Sequence, residues 1–207
     1  MAERVNGRPL PETVETVTGE DWYGDELSGR VASQITYVDL DLSESRSGGG
    51  LEFTECVFRR AQFDQAVHTS AAFLNCVFLD CTFFGAQLLD CKFLGSMFSR
   101  CTFERMTVRG GDWSFVGLPG ANLGTATFED LRMREADLTG ARFTGGVLRR
   151  ADLANASLGK AELARCDLRG SNLHSVDPWS VNLTGAVVDW EQALVIASSL
   201  GLDVRPD

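Results

Sequence analysis

From Phe53 to Leu173 every fifth residue is bulky and apolar. Of the 25 positions in that series, 24 are Phe, Leu, Met, Val or Trp, and the exception is His68. Two residues earlier, from 51 to 171, 21 of 25 positions are Ala, Cys, Ser or Gly; Leu51, Met106, Val116 and Leu131 depart from that rule. A helix repeats its apolar face every 3.6 residues and a strand every 2, so neither element carries this pattern. A chain with one large and one small inward residue per five must turn a corner every five residues. Four such segments close a square coil of about 20 residues, and the sequence reads as a solenoid of stacked coils. Neighbouring coils are expected about 4.8 Å apart, the spacing of paired strands.

The coil length sorts the bulky residues into four columns. Phe53, Phe73, Phe93, Trp113, Met133, Leu153 and Leu173 fall on a first face, and Phe58, Phe78, Phe98, Leu118, Leu138 and Leu158 on a second. Phe63, Phe83, Phe103, Leu123, Phe143, Leu163 and Leu183 make a third; His68, Leu88, Val108, Phe128, Leu148, Leu168 and Val188 a fourth. The N-terminal half is filled with Phe and the C-terminal half with Leu. An open coil end exposes apolar core and unpaired backbone, so both ends need a cover.

Upstream the pattern weakens. Residues 1–20 are polar and aperiodic and read as a mobile tail, although T-V-E-T-V-T at 13–18 alternates like a strand. The solenoid is assigned to 21–188. Trp22, Tyr23 and Leu27 are expected to cover its N-terminal end. Repeat-like units centre on Ile35 and Leu40. From Leu40 to Phe53 is 13 residues, three more than two repeats, so the Gly- and Ser-rich stretch 41–50 reads as an excursion from one corner. At the other end, 189–207 reads as a helix and tail. Asp189 with Gln192 makes a capping-box start. Trp190, Ala193, Leu194, Ala197 and Leu200 follow at helical spacing, and Gly201 marks the end. One side of this helix is expected to plug the coil, and the other to meet a second copy of the chain.

Composition narrows the function classes. The 207-residue chain carries a net charge of −10, which argues against direct nucleic-acid binding. The charge sits at the ends: −6 over residues 1–50, zero over 51–110 and −4 over 111–207. Arg149, Arg150, Arg165 and Arg169 punctuate the acidic C-terminal part. The sequence has no span of 18 apolar residues and no apolar run behind its N-terminal charges, so neither a transmembrane segment nor a secretory signal is expected. All six cysteines, Cys56, Cys76, Cys81, Cys91, Cys101 and Cys166, fall on the small inward position. There Cys acts as a small hydrophobe, and reduced thiols suit the cytoplasm.

Catalytic and metal-binding signatures are missing, so no enzyme, cofactor or metal is expected. His68 is read as a hydrogen-bonded core residue. Asp112, Asp137, Asp152 and Asp177 precede a bulky position and point outward, either to hold turns or to contact a partner. Leu74, Leu79, Phe84, Leu89 and Leu94 follow bulky positions and would girdle the rod with apolar surface, a contact site for a partner or a covering loop. Gly117-Leu118-Pro119-Gly120 is expected to kink one face, since Pro removes a backbone donor.

The units A-D-L-T-G at 136–140, A-D-L-A-N at 151–155, C-D-L-R-G at 166–170 and A-N-L-G-T at 121–125 resemble the pentapeptide-repeat family. The resemblance covers about 51–188 and implies an all-β, right-handed quadrilateral β-helix. The tail D-P-W-S-V-N-L-T-G-A-V-V-D-W-E-Q-A-L, with the acidity, resembles the MfpA- and Qnr-type gyrase-protecting proteins. That narrower likeness implies a homodimer, joined through the C-terminal helix, that mimics DNA. It would bind DNA gyrase or a related type II topoisomerase, inhibiting it or protecting it from quinolones or other poisons. The alternative is a non-enzymatic scaffold that binds an unrelated partner through the apolar girdle.

Overall fold

The computed structural model describes residues 4–5 and 8–205. The chain winds as a four-faced parallel β-helix. Phe53 lies beside Phe73, Phe58 beside Phe78 and Phe78 beside Phe98. On the fourth face His68, Leu88, Val108, Phe128 and Leu148 follow one another in register. The third face is joined by single-residue bridges, such as Gln62–Thr82 and Thr82–Thr102. The four expected columns from residue 53 onward are therefore those of the structure.

The interior is a stack of rings and aliphatic side chains. Phe58, Phe78 and Phe98 stack at centroid separations of 5.0 and 4.6 Å, close to the coil spacing. Phe63–Phe83 and Phe73–Phe93 repeat this at 4.7 Å. Each aromatic pair contributes about 0.5–1.5 kcal/mol beyond the area it buries. The small inward cysteines other than Cys101 are buried beneath them, and Cys76 donates its thiol proton to the Phe53 carbonyl at 3.3 Å. Corners are turned by one residue in the left-handed region, such as Gln65 at φ 58°, where Ala66 N–H closes a turn onto the Phe63 carbonyl. Non-glycine residues resist that conformation by roughly 1–2 kcal/mol each, which the cross-coil hydrogen bonds must offset.

Upstream of Phe53 the structure corrects three expectations. The solenoid starts before residue 21: Glu15–Thr18 pairs in parallel with Ile35–Val38, and Val14 donates to the Gln34 carbonyl. The alternation at 13–18 is that of a strand on the rod and not of a tail. Residues 41–50 are not an excursion either. Leu42, Ser45 and Ser47 are buried, and Arg46–Ser47 pairs with Val67–His68. Pairing offsets are 20 at Glu15–Ile35 and Glu52–Ala72 but 21 at Val31–Glu52 and Thr36–Val57. One extra residue is thus absorbed between Ser47 and Glu52, where Gly49 and Gly50 have φ of 141° and 71°. A Cβ on Gly50 would meet the Gly29 backbone at 3.2 Å, so glycine lets this coil sit on the one before it. The inward residues here are Trp22, Leu27, Ala32, Tyr37, Leu42 and Ser47, in place of Ile35 and Leu40.

Trp22 covers the N-terminal core. Its ring lies 6.4 Å from Phe53 in a stacked arrangement, with Tyr37 edge-on at 5.5 Å and the Arg30 guanidinium 4.0 Å above it. Tyr23 is exposed. Before the first coil, Leu10 packs on the outside of the second face, against Val57, Val77, Leu79 and Met97.

The C-terminal helix α1 (Trp190–Ser199) begins at the expected capping box: Asp189 accepts from Gln192 N–H and the Gln192 side chain accepts from Asp189 N–H. The apolar spacing alone does not say which face turns inward. Gln192 is the buried residue, donating to the Leu168 and Ser171 carbonyls at 2.6 and 2.7 Å. Ile196 packs on the core below it. The coil end presents unpaired carbonyls, so an amide donor satisfies it where an apolar side chain would leave them bare. The stripe of Trp190, Leu194 and Leu200 stays exposed, and Ala197 is half-buried.

Candidate partner-binding surfaces

The four outward aspartates singled out in the sequence all brace turns. Asp112 accepts from Ser114 N–H at 3.0 Å, Asp137 from Thr139 at 3.1 Å, Asp152 from Ala154 at 3.2 Å and Asp177 from Trp179 at 3.0 Å. An Asp carboxylate reaches the amide two residues on and closes a local turn. Two of them are also neutralised: Arg132 donates to Asp112 at 3.0 Å, and Arg134 to Asp152 at 2.5 Å. Partial burial works against ionisation of both, and the hydrogen bonds and arginines outweigh it, holding their pKa values below the ordinary range. The structure does not gather the four into one cluster. They lie on four different coils, Asp112 and Asp152 on the first face and Asp137 and Asp177 on the second.

A second acidic group does form a patch. Asp21 and Asp41 are bridged neighbours on the third face of the first two coils, with Asp25, Glu26, Glu44 and Asp64 around them. Among the described residues none of these six carboxylates has a salt-bridge partner. Their bonds are local and neutral: Asp41 accepts from Ser43 N–H, Glu44 from the Tyr23 hydroxyl at 2.7 Å and Asp64 from Phe84 N–H. The Glu44 contact, with a smaller push from Asp41, raises the Tyr23 pKa. Placing the repeat centres at Ile35 and Leu40 hid this patch. Centring them on Trp22 and Leu42 puts Asp21 and Asp41 in the outward position before the bulky residue.

The apolar girdle divides. Leu79 is buried and Leu74 and Leu89 are half-buried, whereas Phe84 and Leu94 remain exposed. Leu79 shares its cluster with Leu10, so the chain itself covers that part. The larger apolar surface is at the C-terminal end. Trp179 is 79% and Trp190 71% exposed, with Val187, Leu194, Leu200 and Leu202 also open to solvent.

His68 is a satisfied core residue. Its Nδ1 lies 3.0 Å from the Ser47 hydroxyl and its Nε2 3.5 Å from that of Ser45, all three buried. Burial depresses its pKa to about 4, so it is neutral near pH 7. Among the described residues there is no cluster suited to a metal ion, and no helix is long and apolar enough to cross a membrane.

A family model described as pentapeptide repeats matches residues 118–145 and 147–177, in eight copies. Those two segments are pentapeptide repeats. The solenoid also superimposes on two trypsin-treated forms of QnrB1, a plasmid-mediated fluoroquinolone resistance protein. One has a TM-score of 0.62 at 22% identity and the other 0.65 at 20%. Each alignment covers 94% of this chain and 99% of the other. The likeness at these identities is one of fold. No curated protein matches the sequence.

Proposed function

We propose that this pentapeptide-repeat chain is a non-enzymatic, cytoplasmic homodimer that mimics DNA. It binds DNA gyrase or a related type II topoisomerase, inhibiting the enzyme or protecting it from quinolones and other poisons. The observation that carries the reading is the patch of Asp21, Asp25, Glu26, Asp41, Glu44 and Asp64, carboxylates on successive coils without salt-bridge partners among the described residues. Enzymes that grip DNA do so chiefly through basic surfaces aimed at phosphates, and a rigid acidic rod competes for those groups. The fold shared with a fluoroquinolone resistance protein supports the same assignment. The exposed Trp190, Leu194 and Leu200 supply the surface for a second copy, which would double the length of the acidic rod.

The test is supercoiling by purified gyrase, with and without a quinolone, across a salt series. The native chain should slow supercoiling, or restore it in the presence of the drug, and the effect should fade as salt rises. Joint replacement Asp21→Asn, Asp25→Asn and Asp41→Asn should weaken it. Leu194→Asp should yield monomers by sedimentation. No effect at stoichiometric excess would defeat the proposal. The exposed Phe84 and Leu94 favour a second reading, a scaffold for an unrelated protein, which predicts that the acidic substitutions change nothing while Leu94→Asp abolishes capture.

A further inference from the structure

The hydrogen-bond ladder between coils on the third face is regular from Leu42 to Leu163, and among the described residues it fails there in one place. On the third face the bulky residue donates its N–H to the next coil at Leu42, Phe63, Phe83, Leu123, Phe143 and Leu163. The residue before it donates backward at Gln62, Thr82, Thr102, Arg142 and Glu162. Phe103 and Asn122 break both series: neither N–H has a backbone acceptor, and the Thr102–Asn122 bridge is missing between Thr82–Thr102 and Asn122–Arg142. Arg105, whose counterparts Gln65 and Gly85 reach the next coil's carbonyls, donates to the Thr125 hydroxyl at 3.3 Å. The other faces of the same two coils stay joined, through Asp112 to Cys91, Gly117 to Ser96 and Thr127 to Met106. The two coils part along a single face.

The opening lies beside Gly117–Gly120, where Pro119 and Gly120 (φ 68°) occupy the centre of a turn closed by Ala121 onto Leu118. Exposure records the gap independently. At this corner Leu40, Ala61, Cys81, Ala141 and Ala161 are buried, whereas Cys101 and Ala121, which face each other across it, are half-buried. The result is a crevice of about 270 Å3. Phe98 and Phe103 line it from one coil, and Asn122 from the next. Arg100 and Arg142 stand at its rim.

The chemistry of the crevice is lopsided. Arg100 is held by Asp80 through a bidentate pair at 2.6 and 2.7 Å. Arg142 has no acidic partner among the described residues. Two backbone donors and an uncompensated guanidinium thus converge on a crevice whose floor is closed by the buried Phe98 and Phe103. Guanidinium and amide donors together favour a carboxylate, whose two oxygens accept several charge-assisted hydrogen bonds. We propose that this crevice is a binding site for a small organic carboxylate.

Cys101 reports on occupancy because it is the one cysteine that is not fully buried. The full-length protein would be alkylated with iodoacetamide and followed by intact mass and peptide mapping, with benzoate or benzamide as probe. Cys101 should react first. Benzoate should slow its alkylation along a saturating curve, by about fivefold at four times its dissociation constant, and benzamide should not. Arg142→Gln, an exposed substitution that leaves the core intact, should remove most of that protection. Failure of Cys101 to react would overturn the open crevice. Equal protection by benzamide, no protection by benzoate, or protection indifferent to Arg142→Gln would overturn the carboxylate site.

Discussion

The coils from Tyr37 to Phe103 and those from Leu118 to Leu173 share one backbone path and are held together differently. In the first set, three-residue strands run along three faces and aromatic rings stack through the core. In the second, Leu replaces Phe, most pairings shrink to single bridges, and closed turns take over. The residue before the bulky centre contributes to the difference. Where it is Val57, Ala72, Val77 or Met97, the segment is a strand. Where it is Asp112, Asp137, Asp152 or Asp167, the side chain accepts from the amide two residues on and pulls the segment into a turn. The fourth face makes the point within one column. It keeps strands at Thr107–Arg109, Thr127–Glu129 and Val147–Arg149, then loses them at Asp167. β-branched residues fit the pleat, and Asp offers the backbone a competing acceptor. Much of the acidity of the C-terminal half is therefore structural, while the N-terminal patch is not tied to arginines.

The comparison breaks first at the junction. Gly111, at φ 90°, seats the Trp113 coil on its predecessor, and a Cβ there would lie 1.9 Å from the Cys91 carbonyl oxygen. Gly111→Ala should cost at least about 3 kcal/mol, measured by urea denaturation, because backbone must move on both coils. Core truncations come next. Phe78→Ala removes a ring stacked on two others and should cost about 3–5 kcal/mol, against about 2–5 kcal/mol for Leu138→Ala in the same column. The reverse exchanges sharpen the contrast: Phe78→Leu should be milder than Leu138→Phe, since the Leu-filled half has no room for a ring.

His68 gives the Phe-filled half a pH dependence that sets in above the carboxylate range. Its folded pKa of about 4 lies below the ordinary value of 6.5, so the neutral form is the one the fold favours. That contribution is complete above pH 6.5 and is lost as pH falls from there towards 4. A shift of that size corresponds to about 3 kcal/mol. In denaturation curves from pH 7.5 to 4, His68→Leu should flatten this slope. A slope unchanged by the substitution would assign the acid sensitivity to other groups.

The core from Phe53 to Leu173 was legible because every coil repeats the same large and small inward pair in unbroken phase. The earlier coils were not, for two local reasons. A single residue inserted among Gly48, Gly49 and Gly50 shifts the phase where no side chain marks it. Ser47 and Ala32 also fill inward positions with residues that do not look like core, while Leu40 and Leu51 put large residues at the small position. The inward face of the terminal helix was not legible for a related reason. It is apolar on more than one side, and the feature that selects its inward face is a polar need, the Leu168 and Ser171 carbonyls that Gln192 satisfies. The opened seam at Phe103–Asn122 leaves no trace in the period, which stays at five on both sides of it.

The smallest expected effect separates the two roles an outward aspartate can have. Asp137 accepts from Thr139 N–H at 3.1 Å and has no arginine partner. Asp137→Ala removes the acceptor and should cost about 1 kcal/mol, the net value of one such hydrogen bond. Asp137→Asn keeps an acceptor in the same place and should change stability by less than about 0.5 kcal/mol. If the carboxylate serves only the turn, the Asn variant is also indistinguishable from the native chain in a gyrase assay. If its charge also faces a partner, Asn leaves stability intact while weakening the salt-sensitive part of the effect on supercoiling. A loss of stability in Asn equal to that in Ala would refute the turn role itself, and with it the explanation offered for why the C-terminal half has turns where the N-terminal half has strands.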